Sequence, residues 1–192
     1  NGEYRCKSQA AYKDAPCQNV AKGISESEHI GRANLRWKAS DDAMFYATWS
    51  EGYRPGGINR NPFAGDYISD FLTNYELGWK TTWLDNRLQF NGALFMQSWD
   101  DFQIGFQGAN GITQVANGPS AEVNGIETQV QWLPADNLLI SATGAFYDSE
   151  LKDDYSNFDA AGNVVSVNAP KGTALPITPK FKGNLVARYG FN

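Results

Sequence analysis

NYELGWKTTWLDNRLQFNGALFM, residues 74–96, is the stretch whose reading decides the fold. Tyr75, Leu77, Trp79, Thr81 and Trp83 fall on one side of an extended backbone, and Asn74, Glu76, Gly78, Lys80 and Thr82 on the other. That is the period of two that marks a strand. Leu84-Asp85-Asn86-Arg87 then supplies a turn, because Asp and Asn tolerate left-handed backbone angles and bond their own backbone. Alternation resumes with Leu88, Phe90, Leu94 and Met96 against Gln89, Asn91, Ala93 and Gln97. The stretch predicts a β-hairpin with one apolar, tryptophan-rimmed face and one polar face that carries few charges.

The same period extends in both directions. Upstream, Ala33, Leu35, Trp37 and Ala39 alternate with Arg32, Asn34, Arg36 and Lys38, Ser40-Asp41-Asp42 turns the chain, and Phe45, Ala47 and Trp49 alternate with Tyr46, Thr48 and Ser50. Met44 and Tyr46 blur which face of that second strand is outermost. Downstream, the hairpin is expected to continue through residues 99–104, followed by a Gly/Asn-rich crossover over 105–118. A fifth strand sets Val123, Gly125, Glu127, Gln129 and Gln131 against Ile126, Thr128, Val130 and Trp132, and a sixth sets Leu138, Ile140, Ala142 and Phe146 against Ser141, Thr143 and Tyr147. A long loop over 148–176 precedes a seventh, in which Phe181, Leu185, Ala187, Tyr189 and Phe191 oppose Lys182, Asn184, Val186 and Arg188.

Composition narrows what such strands can build. With 14% aromatic residues, 19 Gly and 1 His, the chain favours sheet and turn over helix. No apolar run reaches the ~18 residues of a membrane-spanning helix. A net charge of -5 argues against nucleic acid as a partner. One histidine assembles no nucleophile, base and orienting acid, and no phosphate loop or zinc motif is present, so neither an enzyme nor a bound cofactor or metal is expected. The doublets Asp41-Asp42, Asp100-Asp101 and Asp153-Asp154 read as solvated carboxylates on turns and loops rather than cation sites. Cys6 and Cys17 flank ten polar, loop-like residues. Either they close a disulfide, which would stabilise the loop by roughly 2–3 kcal/mol, or they are free thiols; the bridge is expected, because cysteine in an exposed polar loop is uncommon unless paired.

Alternation alone suits a soluble β-sandwich as well as a membrane barrel. Loop lengths separate the two. Connections after the first, third and fifth strands are three to four residues long, whereas those after the second, fourth and sixth run to a dozen or more. Short turns at one end and long loops at the other, on strands read as eleven to seventeen residues long, are the pattern of an outer-membrane barrel. Trp37, Trp83 and Trp132 all lie on the apolar face close to a short turn. Indole carries an apolar body and a polar N–H that prefers the membrane boundary, so three strands place a girdle at one level.

The runs FYATWSEGYRPGGINR (45–60), NYELGWKTTWLDNRLQFNGALF (74–95), VNGIETQVQWLPADNLLISATGAFYDSE (123–150) and LPITPKFKGNLVARYGF (175–191) resemble the β-barrel of TonB-dependent outer-membrane receptors. The resemblance implies an all-β, antiparallel transmembrane segment of about seven strands within a barrel of about 22. Residues 1–29 are then an extracellular loop and 30–192 the strands of the wall, while the plug, the TonB box and the closing strands are expected to lie outside this chain. It also implies import of a scarce solute, foremost a ferric siderophore or similar iron complex, with the TonB complex, outer-membrane lipid and lipopolysaccharide as partners. Long loops would then project from the cell, and the turns at Asp41, Asp85-Asn86 and Asp136-Asn137 would face the periplasm. Tyr53, Arg54, Arg60, Tyr67 and Tyr155 are the candidate ligand contacts, because guanidinium and phenol groups suit anionic or aromatic chelates. The other reading of these side chains is that they bond loop backbone or lipopolysaccharide head groups. Glu76, Lys80, Gln89, Asn91, Glu127, Gln129, Lys182 and Arg188 form the expected lumenal wall. A passive porin-like or scaffold barrel and a soluble β-sandwich binding module are the rival functions.

Overall fold

A computed structural model describes residues 22–60, 65–108, 111–158, 164–176 and 178–191. Its strands are β1 (Arg32–Lys38), β2 (Ala43–Arg54), β3 (Asp70–Trp83), β4 (Leu88–Asp100), β5 (Gln103–Gln107), β6 (Thr113–Asn117), β7 (Ala121–Ala135), β8 (Leu138–Leu151), β9 (Tyr155–Phe158), β10 (Val164–Ala169) and β11 (Phe181–Tyr189). Seven form one antiparallel sheet in the order β1-β2-β3-β4-β7-β8-β11, and β5-β6 and β9-β10 are separate two-stranded ribbons. No helix long and apolar enough to cross a membrane occurs among the described residues. Cys6 and Cys17, the expected bridge, lie outside the described residues.

Three sequence expectations change. The hairpin's second strand stops at Asp100 instead of running through 104, because Asp101 adopts a left-handed conformation (φ 53°). What reads as a crossover over 105–118 is largely a hairpin, with Gln103 paired to Asn117 and Gln107 to Thr113. The sheet strands run from 7 to 15 residues, because both edges are short. At the β1 edge the Gly31 amide donates to the Glu51 carboxylate (3.1 Å), so a side chain takes the place of a ladder carbonyl. At the β11 edge Pro179, just upstream, has no amide to donate.

The central hairpin forms as its residues dictate, with Trp83 paired to Leu88 and Leu77 to Leu94. Its turn holds three successive left-handed residues, Leu84, Asp85 and Asn86, closed by the Arg87 amide on the Leu84 carbonyl (3.1 Å). Asp and Asn bear that conformation readily, whereas Leu84 is an uncommon occupant. Arg87 also reaches the neighbouring short turn, donating to Asp136 (2.8 Å) and the Leu133 carbonyl (3.0 Å).

Register turns the alternation into rows. Leu35, Ala47, Leu77, Leu94, Ile126, Phe146 and Phe181 lie side by side across all seven strands. The row is apolar throughout and faces open space, with Leu77 61% exposed. Phe45 and Trp49 share this face with Leu77, which resolves the ambiguity of the second strand. Trp37, Trp83 and Trp132 stand on the same face near the short turns and are exposed. The opposite face carries Lys80, Asn91, Gln129, Thr143 and Asn184 in one row. An apolar face this broad is an interface with lipid or another surface. Among the described residues no second large sheet covers it.

Where the band ends towards the long loops, the two faces exchange character for one step of the ladder. Glu51, Thr73, Ser98, Glu122 and Glu150 now occupy the row continuous with the apolar face. Their immediate neighbours, Gly52, Leu72, Trp99, Ala121 and Leu151, lie on the formerly polar face. Ala121 and Leu151 are the buried core residues, at 0% and 5% exposure. A sheet that leaves hydrocarbon for water has to turn its apolar side inward in this way.

Candidate functional site

The long-loop end is built around Asp70. Arg54 closes β2 and Asp70 opens β3 directly opposite it. The guanidinium grips the carboxylate through Nε (3.1 and 3.0 Å) and through a terminal nitrogen. Trp99 donates its indole N–H to Asp70 (3.1 Å), and the Gln103 amide, brought round by the Asp101 kink, donates a further bond (3.0 Å). Arg54 also lies over the Trp99 ring at 5.0 Å. Asp70 is almost fully buried. Burial pushes its carboxyl up, but Arg54, the Gln103 amide and the Trp99 indole together outweigh it and hold the group below its ordinary value.

Amide side chains then join two loops into one body. Asn59, buried in the β2–β3 loop, donates to Gly65 (2.7 Å) and Val115 (2.8 Å) carbonyls and accepts from the Val115 amide (2.7 Å). Asn117 exchanges bonds with both backbone groups of Ile68 (2.9 Å each). Gln103 donates to the Pro55 (2.9 Å) and Ile68 (3.2 Å) carbonyls. Glu26 caps the arrangement by accepting from the Gly56 amide (2.7 Å) and the Ser69 hydroxyl (3.0 Å). Apart from the Asn59–Gly65 bond inside the β2–β3 loop, each of these bonds spans segments remote in sequence.

Beneath this rim a cavity of about 380 Å³ opens on the inner face. Leu72, Phe95, Trp99 and Val123 form its apolar wall, and Leu175 and Pro179 of the β8–β11 connection hang over it. Glu127, Tyr147 and Lys182 mark its lower edge. The Tyr147 hydroxyl donates to Glu127 (2.6 Å), and the Lys182 ammonium stands 5.9 Å from the Tyr147 ring. A larger hollow of about 530 Å³ lies lower on the same face, lined by Lys80, Asn91 and Gln129 together with Tyr46, Trp79 and Ala93, and it shares Glu127, Tyr147 and Lys182 with the cavity above.

The five candidate contacts do not converge. Tyr53 stacks on Phe71 (6.1 Å, 24°) on the outer face, and Arg54 is committed to Asp70. Tyr67 is bridged to Gly57 through paired backbone bonds (2.9 and 3.0 Å). Arg60 is exposed on the β2–β3 loop, and Tyr155 is half-buried at the start of the β9–β10 ribbon. None of the five lines the cavity under the rim. Sequence reading missed Asp70, Trp99, Asn59 and Asn117. The available signal was opposite charge at facing strand ends, Arg54 and Asp70, once the hairpin register is extended. No group of three or more metal-ligating side chains occurs among the described residues.

A family model described as TonB dependent receptor-like, beta-barrel, matches residues 8–192. The pesticin receptor of Yersinia enterocolitica is 24% identical over 176 residues, which is 86% of this chain and 24% of that protein. The pesticin receptor of Yersinia pestis gives the same figures. The chain thus spans about a quarter of the length of the curated relatives it matches. Among solved structures, the ferric yersiniabactin uptake receptor of Yersinia pestis superposes with a TM-score of 0.62 at 21% identity, covering 82% of this chain and 22% of that one. The ferric-catecholate import receptor of Escherichia coli gives 0.58 at 17%, covering 95% and 27%. The alcaligin outer-membrane receptor of Bordetella pertussis gives 0.55 at 21%, covering 88% and 27%.

Proposed function

Because the chain belongs to the TonB-dependent receptor β-barrel family, we propose that it is part of the wall of an outer-membrane receptor that imports a scarce solute, foremost a ferric siderophore or similar iron complex, with energy delivered through TonB. The observation that carries this reading is the match over residues 8–192 on a sheet whose apolar band and girdle suit outer-membrane lipid. The names of the relatives support the solute class, since those proteins take up ferric yersiniabactin and ferric catecholate.

On this reading residues 1–29 form an extracellular loop and 30–192 supply seven of about 22 wall strands, with the plug and the TonB contact in the remaining length of the receptor. Lipid meets the Leu77 face, and lipopolysaccharide meets the charged row above it. Arg60, Tyr67 and Tyr155 stay as loop-borne ligand contacts, while Arg54 organises the rim. The chain performs no chemistry of its own. It shapes the vestibule in which a solute is held until the plug rearranges.

The test is uptake of radioactive iron by iron-limited cells that carry the receptor. Uptake abolished by collapsing the proton motive force or deleting TonB supports the reading. Uptake that follows diffusion and ignores both treatments supports a passive porin-like barrel.

A further inference from the structure

Resting on the outward placement of the long loops in that reading, we propose that the free edge of β5 is a docking site for an extended peptide segment of a protein outside the cell, which adds to the β5–β6 ribbon as a third strand. The hydrogen bonds of the ribbon fix which of its backbone groups are spare. Gly118 donates to the Phe102 carbonyl (2.7 Å) at its foot, and Gly108 donates to the Ile112 carbonyl (3.0 Å) towards its tip. Antiparallel pairs alternate between bonded and unbonded. In the observed register the pairs Gln103–Asn117, Gly105–Val115 and Gln107–Thr113 therefore turn their N–H and C=O groups outward, away from the partner strand.

The two outer edges are treated differently. On the β6 edge the Asn59 side chain meets both groups of Val115, accepting from its N–H (2.7 Å) and donating to its C=O (2.8 Å), as a neighbouring strand would. On the β5 edge only the foot is engaged, where the Gln103 N–H donates to Asp70 (3.0 Å) and its C=O accepts from Arg54 (3.4 Å). Above it the outward backbone groups of Gly105 and Gln107 have no partner among the described residues, and Gly105, Phe106 and Gln107 are exposed. Two sets of N–H and C=O groups repeated ~6.8 Å apart along one edge match the repeat of another extended backbone.

A strand edge in water is commonly guarded by a charge, a proline or a bulge. β5 reads QIGFQ, which has neither charge nor proline, and its register with β6 is unbroken. A Cβ built on Gly105 meets nothing within 4 Å, so a second backbone has room to approach. Phe106 stands 42% exposed on the same strand. The segment that fits is uncharged where it pairs and brings an apolar side chain to Phe106. The ribbon springs from β4 and β7, in the middle of the seven-stranded sheet, so the loops on either side of it are this chain's own. Among the described residues neither the β2–β3 loop nor the β8–β11 connection forms a strand on β5. Wall strands beyond β1 and β11 attach further away still, which favours a strand arriving from solution.

The probe is a fluorescein-labelled peptide of residues 111–118, GITQVANG, whose central sequence already pairs with β5 through the opposite edge. Its dissociation constant is measured on the full-length receptor in detergent micelles. Gly105→Pro removes the outward N–H and leaves the β5–β6 ladder intact, whereas Gly105→Ala adds a Cβ but keeps the N–H. Heat-modifiable gel mobility verifies that both variants are folded. Gly105→Pro is expected to weaken peptide binding about tenfold or more, and Gly105→Ala about twofold. Bound peptide should slow hydrogen exchange at the Gly105 and Gln107 amides. Absence of saturable binding, equal losses in the two variants, or binding that leaves those amides unprotected overturns the strand addition; energised iron uptake that persists in that case leaves the transport reading standing. Gln107→Cys is also treated with a membrane-impermeant maleimide on intact cells. Labelling supports the outward placement, and its failure overturns both the extracellular partner and the orientation on which it rests, even where peptide binding in micelles is retained.

Discussion

The lower half and the upper end of the same sheet are patterned differently. From the short turns up to Trp49 and Tyr75 on β2 and β3, the outer face is apolar and the inner face polar; the Glu51–Thr73 row reverses the assignment, and beyond it Tyr53 and Phe71 return aromatic rings to the outer face while Arg54 and Asp70 pair on the inner one. Backbone pairing continues through the boundary without interruption, since Trp49 pairs with Tyr75 and Glu51 with Thr73 in one register. Only the side chains know where the membrane ends. Trp83 and Tyr75 are eight residues apart, about 27 Å of strand at ~3.4 Å per residue, or about 20 Å of membrane depth at a tilt near 45°. The boundary is slanted, because Asn124 and Asp148 are already polar in the row where Tyr75 and Met96 are aromatic or apolar. Below the boundary the apolar face is left open, whereas above it Ala121 and Leu151 are buried by the protein itself.

The sharpest way to break this comparison is to place one charge at two heights on one face. Leu94→Arg, mid-band on β4, should destabilise the barrel by about 2–4 kcal/mol, while Ser98→Arg, four residues on, should stay within about 0.5 kcal/mol. Urea midpoints in lipid vesicles compare them directly, and equal effects would erase the boundary.

Asp70→Ala probes the upper half alone. Losing charge-assisted bonds from Arg54, Trp99 and Gln103 should cost about 2–3 kcal/mol confined to the two joined loops. Hydrogen exchange should accelerate at Gln103 and around Asn59 and leave Leu77 and Leu94 protected; uniform acceleration would contradict a separate rim.

Gly125→Ala acts nearer the boundary. A Cβ there would lie 2.4 Å from the Phe95 ring and 2.9 Å from the Phe146 carbonyl oxygen. The ring can shift but the carbonyl cannot, so a loss of about 1–3 kcal/mol is expected in thermal unfolding.

Acid has the smallest effect. The Asp70 carboxyl lies below its ordinary value of 3.8, so the unfolded loops bind its proton first as pH falls. The stability it contributes is fully present above that value and is lost as pH drops through the folded one. Protease cleavage of residues 55–69 should be constant from neutral pH down to that range and rise below it, and Asp70→Asn should remove the dependence.

Much of the lower half was legible because period two is a property of one strand at a time. Tyr75 to Trp83, Leu88 to Met96 and the three girdle tryptophans announce their face without any knowledge of their neighbours. The upper half depends on what lies beside what. Glu51, Glu122 and Glu150 become one row only when four strand pairings are known. Trp99 acquires its role only when the left-handed Asp101 brings Gln103 back to Asp70. Arg54 reads as a free guanidinium until Asp70 stands opposite it, and Tyr53 reads as loop-facing until register puts it with Phe71 on the outer side. The ribbons were hidden because Gly- and Asn-rich sequence suits a hairpin as well as a crossover.

The measurement that tests the central claim most directly is spin-label accessibility at Leu94→Cys, Met96→Cys and Ser98→Cys on the full receptor in vesicles, read with oxygen and with a water-soluble nickel chelate as relaxers. Labels at 94 and 96 should respond to oxygen and be shielded from nickel, and the label at 98 should reverse that preference. Nickel access at all three positions would mean that this face meets water along its length, and the membrane assignment would fall.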